Sequence, residues 1–173
     1  MTYAITIYDH SPDNSSRFTL GTSGTNPLFV IGLNPSTADD KKPDLTISKV
    51  IGFANRHGCD SFVLFNLYPQ RTPYPDNLHA TFDSNLHNEN VSRILTALQE
   101  RDNISFLAAW GATITVRQFF KKCLADIFAQ TKNKNVKWLT IGLTKSGHPR
   151  HPSRAGYCTL TDFNIENYLK QIN

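Results

Sequence analysis

Pro27-Leu28-Phe29-Val30-Ile31-Gly32-Leu33 is the stretch that decides the fold. It is apolar throughout and too short for a typical helix. A continuous apolar run of this length is the mark of a strand buried on both faces. Three further runs share that character: Ser61 to Leu67, Ile104 to Trp110 and Val136 to Leu143. Helical spacing fills the intervals. Asp44 to His57 places Ile47, Val50, Ile51 and Ala54 on one face, and Ser84 to Gln99 does the same with Val91, Ile94, Leu95 and Leu98. Thr113 to Phe128 follows, and a last helix is expected from Thr161 to Ile172. Ahead of the first run, Tyr3 to Tyr8 and Arg17 to Leu20 flank a turn-rich stretch and read as a β-hairpin. Strand–helix alternation with buried strands predicts a three-layer α/β/α fold. Its centre is a mainly parallel four-stranded sheet, with the hairpin added. No repeat or linker divides the chain, so residues 1–173 are expected to form a single domain.

Composition sets the bounds. The chain of 173 residues is 39% hydrophobic and 18% charged, ordinary for a globular protein. Its net charge of +4 suits a polyanionic partner and equally suits a basic protein with none. Cys59, Cys123 and Cys158 form no C-x-x-C pair, which argues against a zinc or iron–sulfur site. Their odd number, with no positively charged leader, points to a reducing, cytoplasmic setting. No apolar run nears the ~18 residues of a membrane span. No cofactor is expected, and no membrane partner.

In open sheets of this kind ligands bind beyond the carboxyl ends of the strands. The segments there are Asn34-Pro35-Ser36-Thr37-Ala38-Asp39, Asn66-Leu67-Tyr68-Pro69, Trp110-Gly111-Ala112, and Thr144 through Arg154. Polar and turn-forming residues follow directly on apolar runs in all of them. The absence of a P-loop or G-x-G-x-x-G fingerprint speaks against phosphate-loop and dinucleotide enzymes.

In these four segments the chain resembles the uracil-DNA glycosylase superfamily. Gly32-Leu33-Asn34-Pro35 matches its first motif, and Val63-Leu64-Phe65-Asn66 its second. Ala109-Trp110-Gly111-Ala112 matches the third, and His151-Pro152-Ser153 the fourth, with His148-Pro149 just before it. The likeness runs from about Pro27 to Ser153. In its finer wording the chain is similar to a bacterial and phage branch of that superfamily, the domain of unknown function 1643.

The resemblance implies a uracil-DNA glycosylase-like fold and a monofunctional DNA N-glycosylase. Such an enzyme hydrolyses the bond between deoxyribose and a flipped pyrimidine, in base excision and DNA repair, phage defence or phage base metabolism. Asn34 would hold the attacking water, with Asp39 as a helper if its loop curls back; Asn34 before Pro35 equally suits a plain turn. Asn66 would pair with the base edge through its amide. His151 would hydrogen-bond the base carbonyl as charge develops there, with His148 as the rival. An aromatic should stack on the base, and Phe53, Tyr68 and Trp110 are the candidates. Lys145, Arg150, Ser153 and Arg154 would grip flanking phosphates, with Arg71, Lys41 and Lys42 as weaker candidates.

Two departures carry information. The most uracil-selective members have Asp at the Asn34 position and a Tyr after the Pro, where this chain has Ser36. A small side chain there leaves room for a 5-substituted or modified pyrimidine. The family's apolar wedge is also missing. Arg154 or Tyr157 would have to fill the vacated stack, which favours single-stranded or distorted DNA over regular duplex. The expected partner is therefore DNA, single-stranded or duplex with the base flipped, and the expected state a monomer. Two other readings stay open: a DNA-binding module of the same fold that has lost catalysis, and a nucleoside- or nucleotide-processing enzyme acting on a free metabolite.

Overall fold

All four apolar runs become strands in a computed structural model that describes residues 4–101 and 103–172. In chain order the elements are β1 (Ile7–His10), β2 (Arg17–Gly21), β3 (Pro27–Gly32), α1 (Leu45–Arg56), β4 (Ser61–Asn66) and α2 (Ser84–Ala97). They continue with β5 (Ile104–Ala108), α3 (Phe119–Thr131), β6 (Val136–Thr140), β7 (Thr161–Asp162) and α4 (Ile165–Ile172). Tyr3, where the sequence reading starts the first strand, lies outside the described residues.

The sheet is larger and more mixed than the four-stranded, mainly parallel one expected. Among the described residues it has seven strands in the order β1-β2-β4-β3-β5-β6-β7. The inner strands β4, β3, β5 and β6 pair in parallel. The hairpin β1–β2 docks antiparallel on β4, and β7 docks antiparallel on β6. These additions cover both edges of the parallel centre, which would otherwise expose unpaired backbone groups.

Alternation of side chains along each strand splits the core in two. Phe29, Ile31, Val63, Phe65, Phe106 and Trp138 face α2, α3 and α4. Leu28, Val30, Phe62, Leu64, Leu107 and Leu139 face α1. The crossover through α1 carries the chain from β3 to β4 on one side, and that through α2 returns it to β5 on the other side of β3. The strand order therefore reverses at β3, and the crevice between the carboxyl ends of β3 and β5 is the switch point of the sheet.

Two helix boundaries differ from expectation. The third helix starts at Phe119, because the β-branched run Thr113-Ile114-Thr115-Val116 takes a tighter 3₁₀ turn over Ala112–Thr115. The last starts at Ile165, where Asn164 Oδ1 caps it by accepting from Asn167 N at 2.9 Å; Thr161 and Asp162 are spent on β7.

One carboxylate ties the entries of β3 and β4 together. Asp60 accepts from Ser61 Oγ (2.7 Å), Thr25 Oγ1 (2.7 Å), Asn26 N (3.0 Å) and Thr25 N (2.9 Å). The Ser61 and Thr25 hydroxyls, then the Asn26 amide, hold its carboxyl well below the usual carboxylate range. A carboxyl with a depressed folded pKa gives stability that is full above the unfolded value and is lost as pH falls toward the folded one. The thermal midpoint of the wild type should therefore drop more steeply than that of Asp60→Ala between about pH 5 and pH 2. Parallel curves would show that the clamp contributes nothing.

Candidate functional site

β3, β4, β5 and β6 end at one edge, where a cavity of about 780 Å³ opens. That is the size range of small-molecule and cofactor sites. Among its lining residues are Asn34, Ser36, Asn66, Trp110, Arg150, His151, Ser153 and Arg154. Asp39, Tyr68, His148 and Lys145 are not among them.

Asn66 closes β4 and lies opposite Gly32 in the parallel register. It is only 2% exposed, and its Nδ2 is buried with no hydrogen-bond partner among the described residues. A Cβ on Gly32 would stand 2.7 Å from Asn66 Oδ1, so the amide occupies the space a side chain at 32 would take. Behind it, Asn90 Nδ2 of α2 donates to the Asn66 carbonyl at 2.9 Å and holds the strand end. A buried orphan donor costs about 1–3 kcal/mol. One facing a cavity is a socket for an acceptor on a ligand.

Asn34 follows β3 and is half-buried. Its Nδ2 donates to Thr72 O (2.8 Å) and Pro35 O (3.0 Å), with a longer contact to Gln70 O (3.5 Å). The amide is thereby oriented, and Oδ1 is left as its acceptor. Ser36 sits beside it, half-buried, with its backbone carbonyl taken by Arg71 Nε at 3.0 Å. Arg71 also donates to Thr37 O, Ala38 O, Tyr8 Oη and Asn14 Oδ1. It is a staple for the loop after β3, which corrects its reading as a phosphate ligand. Asp39 serves the same loop by accepting from Lys41 N and Lys42 N at 2.9 and 2.8 Å. Those two bonds, the Lys42 one first, lower its pKa.

The loop after β6 sorts the two histidines. Its bridge between Leu143 and Pro149 turns the chain back on itself, with Gly142 and Gly147 at φ of 105° and 79°. His148 is directed into the core. There Trp110 Nε1 donates to Tyr168 Oη (3.1 Å), and Tyr168 Oη lies 2.8 Å from His148 Nδ1. An indole N–H only donates, so the arrangement that satisfies every group has the phenol donating onward to His148. Burial pushes the Tyr168 phenol up to about 12. His148 is thus a brace between the loop and α4.

His151 instead reaches the cavity. Its Nδ1 accepts from Ser153 N at 3.4 Å and lies 2.8 Å from Ser153 Oγ. With Nδ1 an acceptor, the ring proton belongs on Nε2. Burial lowers its pKa; the Asp44 carboxylate opposes this and Arg154 adds to it. Gly111, at φ 69°, passes so close that a Cβ there would lie 3.3 Å from His151 Cβ. The glycine after Trp110 is therefore what lets the loops of β5 and β6 meet.

The expected stacking aromatics lie elsewhere. Tyr68 is fully buried against Phe119 and Phe120 and bonds His79 Nδ1 at 2.8 Å. Phe53 is buried on the core-facing side of α1. Trp110 touches the cavity, but its ring packs among Trp138, Phe163 and Tyr168. Lys41, Lys42 and Lys145 are exposed and outside the cavity. Tyr157 lies on α1, where a Cβ on Gly52 would be 2.4 Å from its ring and the Arg56 guanidinium sits 3.8 Å from its centroid.

Two charged cavity residues escaped the sequence reading. Arg17 is 2% exposed, and its Nη1 donates to Ala38 O at 2.6 Å. The signal was an Arg at the head of a short strand with Phe18 and Leu20. Asp44 caps α1, its Oδ1 accepting from Ile47 N at 2.9 Å. Its cap position was legible, its place in the cavity was not. Among the described residues no group of three or more His, Cys, Asp or Glu is placed to hold a metal ion.

Two measurements check this assignment. Tyr168→Phe strands both Trp110 Nε1 and His148 Nδ1, and should cost about 1–3 kcal/mol in urea melts; a neutral result would remove the brace. The His151 ring should titrate by NMR below its ordinary 6.5, and Arg154→Ala should move the midpoint up. An unmoved midpoint would separate Arg154 from the histidine.

The family model described as protein of unknown function (DUF1643) matches residues 17–153, and the chain belongs to that family. No curated protein and no solved structure matches the chain.

Proposed function

We propose that this member of the DUF1643 family is a monofunctional DNA glycosylase, related to the uracil-DNA glycosylases, acting on an extruded pyrimidine. The observation that carries the reading is the buried, unpartnered Asn66 amide facing a cavity shared with Asn34 and a His151 that burial keeps below its ordinary pKa.

The chemistry follows from the groups present. Breaking a glycosidic bond leaves negative charge on the base and positive charge on the sugar, and water must attack the sugar. Asn66 Nδ2 and the His151 Nε2–H are donors suited to base oxygens. A preorganised donor strengthens its bond as charge builds on the acceptor, which favours the transition state. Asn34, its amide nitrogen fixed on Thr72 and Pro35, offers Oδ1 to orient water. Ser36 in the lining leaves room beside a ring carbon, which suits a 5-substituted or modified pyrimidine. No lysine lines the cavity among the described residues, so no amine is placed to form a Schiff base with the sugar. Arg150, Ser153 and Arg154 line the cavity and offer donors suited to flanking phosphates. Tyr157 is committed to α1 and is not a wedge, which favours single-stranded or distorted DNA.

Asn34 also favours a second reading. An amide orients water but does not take its proton, so a module that binds DNA without cleaving it fits the same geometry.

One assay separates the two. Oligonucleotides carrying uracil, mismatched thymine or a hydroxymethylated or glucosylated pyrimidine are incubated with the protein, and abasic sites are then cleaved with alkali. Strand breaks should appear with at least one base and fall about 10²–10³-fold in Asn34→Ala and His151→Ala. No breaks on any substrate, with DNA affinity that falls steeply with salt, would establish the binding module instead.

A further inference from the structure

We propose that Asp44 takes the proton from the attacking water, an assignment that rests on the glycosylase reading above. Asp44 is the only carboxylate among the described residues lining the cavity. It reaches the site from the same β3–α1 connection as Asn34. Its work as a cap uses one oxygen: Oδ1 accepts from Ile47 N at 2.9 Å, and Oδ2 has no protein donor among the described residues. Asn34 orients water and has no basic atom, so the reaction needs a base from another residue. The remaining ionisable groups that line the cavity with Asp44 are Arg17 from β2 and Arg150, His151 and Arg154 from the loop after β6. The arginines cannot serve as bases at neutral pH, and His151 has its Nδ1 lone pair engaged by Ser153.

The step balances as follows. The bond from the sugar C1′ to the ring nitrogen breaks, and its electron pair leaves with the base. The water oxygen bonds to C1′, and one water proton passes to Asp44 Oδ2. The base anion, held by His151 Nε2–H and Asn66 Nδ2, takes a proton from solvent, and Asp44 returns its own to solvent.

The cap provides the control. Asn matches Asp as an N-cap, and Ser is nearly as good. Asp44→Asn and Asp44→Ser therefore keep the start of α1 while removing the base. In single-turnover assays on the base found to be released, both should slow release by about 10²–10⁴-fold, melt like wild type and lose the acid limb of the pH–rate profile. Release within about threefold of wild type in either variant, with that limb intact, would overturn the role of Asp44 and leave the glycosylase reading standing. A wild type inert on every base would overturn both.

Discussion

The parallel pairing of β3 with β4 ends at Gly32 opposite Asn66, and the chemistry of the site hangs on that register. A slip of one residue would turn Asn66 to the opposite face and bury its amide against α2 and α3. Because residue 32 has no side chain, the Asn66 amide can lie across the end of β3. Asn90 then fixes the Asn66 carbonyl from the other layer. The socket is thus built from a strand, a missing side chain and a helix on the far face. All three are rigid parts of the fold, which is what a preorganised donor requires.

Charge organises the rest. Arg17, Arg150 and Arg154 line the same cavity as Asp44. The excess of positive charge suits an anionic ligand and disfavours a charged imidazole, so His151 is held neutral by burial and by Arg154 together. The lowering favours the neutral ring, which with its proton on Nε2 is a donor. The opposing pull of Asp44 sets how far that lowering goes.

Much of this was legible in the sequence. Continuous apolar runs located β3, β4 and β5, because strands buried on both faces have no polar side to show; in β6 the run is broken by an exposed Lys137. The strand-end rule then drew attention to Asn34, Asn66 and His151. What the sequence left hidden was direction. Distance from the strand end favoured His148 and the word His-Pro-Ser favoured His151; only the turn between Leu143 and Pro149 decides which ring faces the core. Tyr68 and Trp110 read as stacking candidates because an aromatic beside a site looks the same whether its ring points in or out. β7 is two residues long and carries no periodicity of its own; pairing with β6 creates it. Arg17 is buried only because the hairpin docks on β4, a long-range contact that no local pattern encodes.

The Asn34 amide donates to carbonyls of the segment that follows β4, and this binds two distant stretches of the chain into one inherited unit. A carboxylate at 34 would point oxygen at oxygen across the Thr72 contact, so the amide at this position is tied to the path of the later segment. Exchanging amide for acid at 34 therefore sets the two stretches against each other unless the later one changes with it.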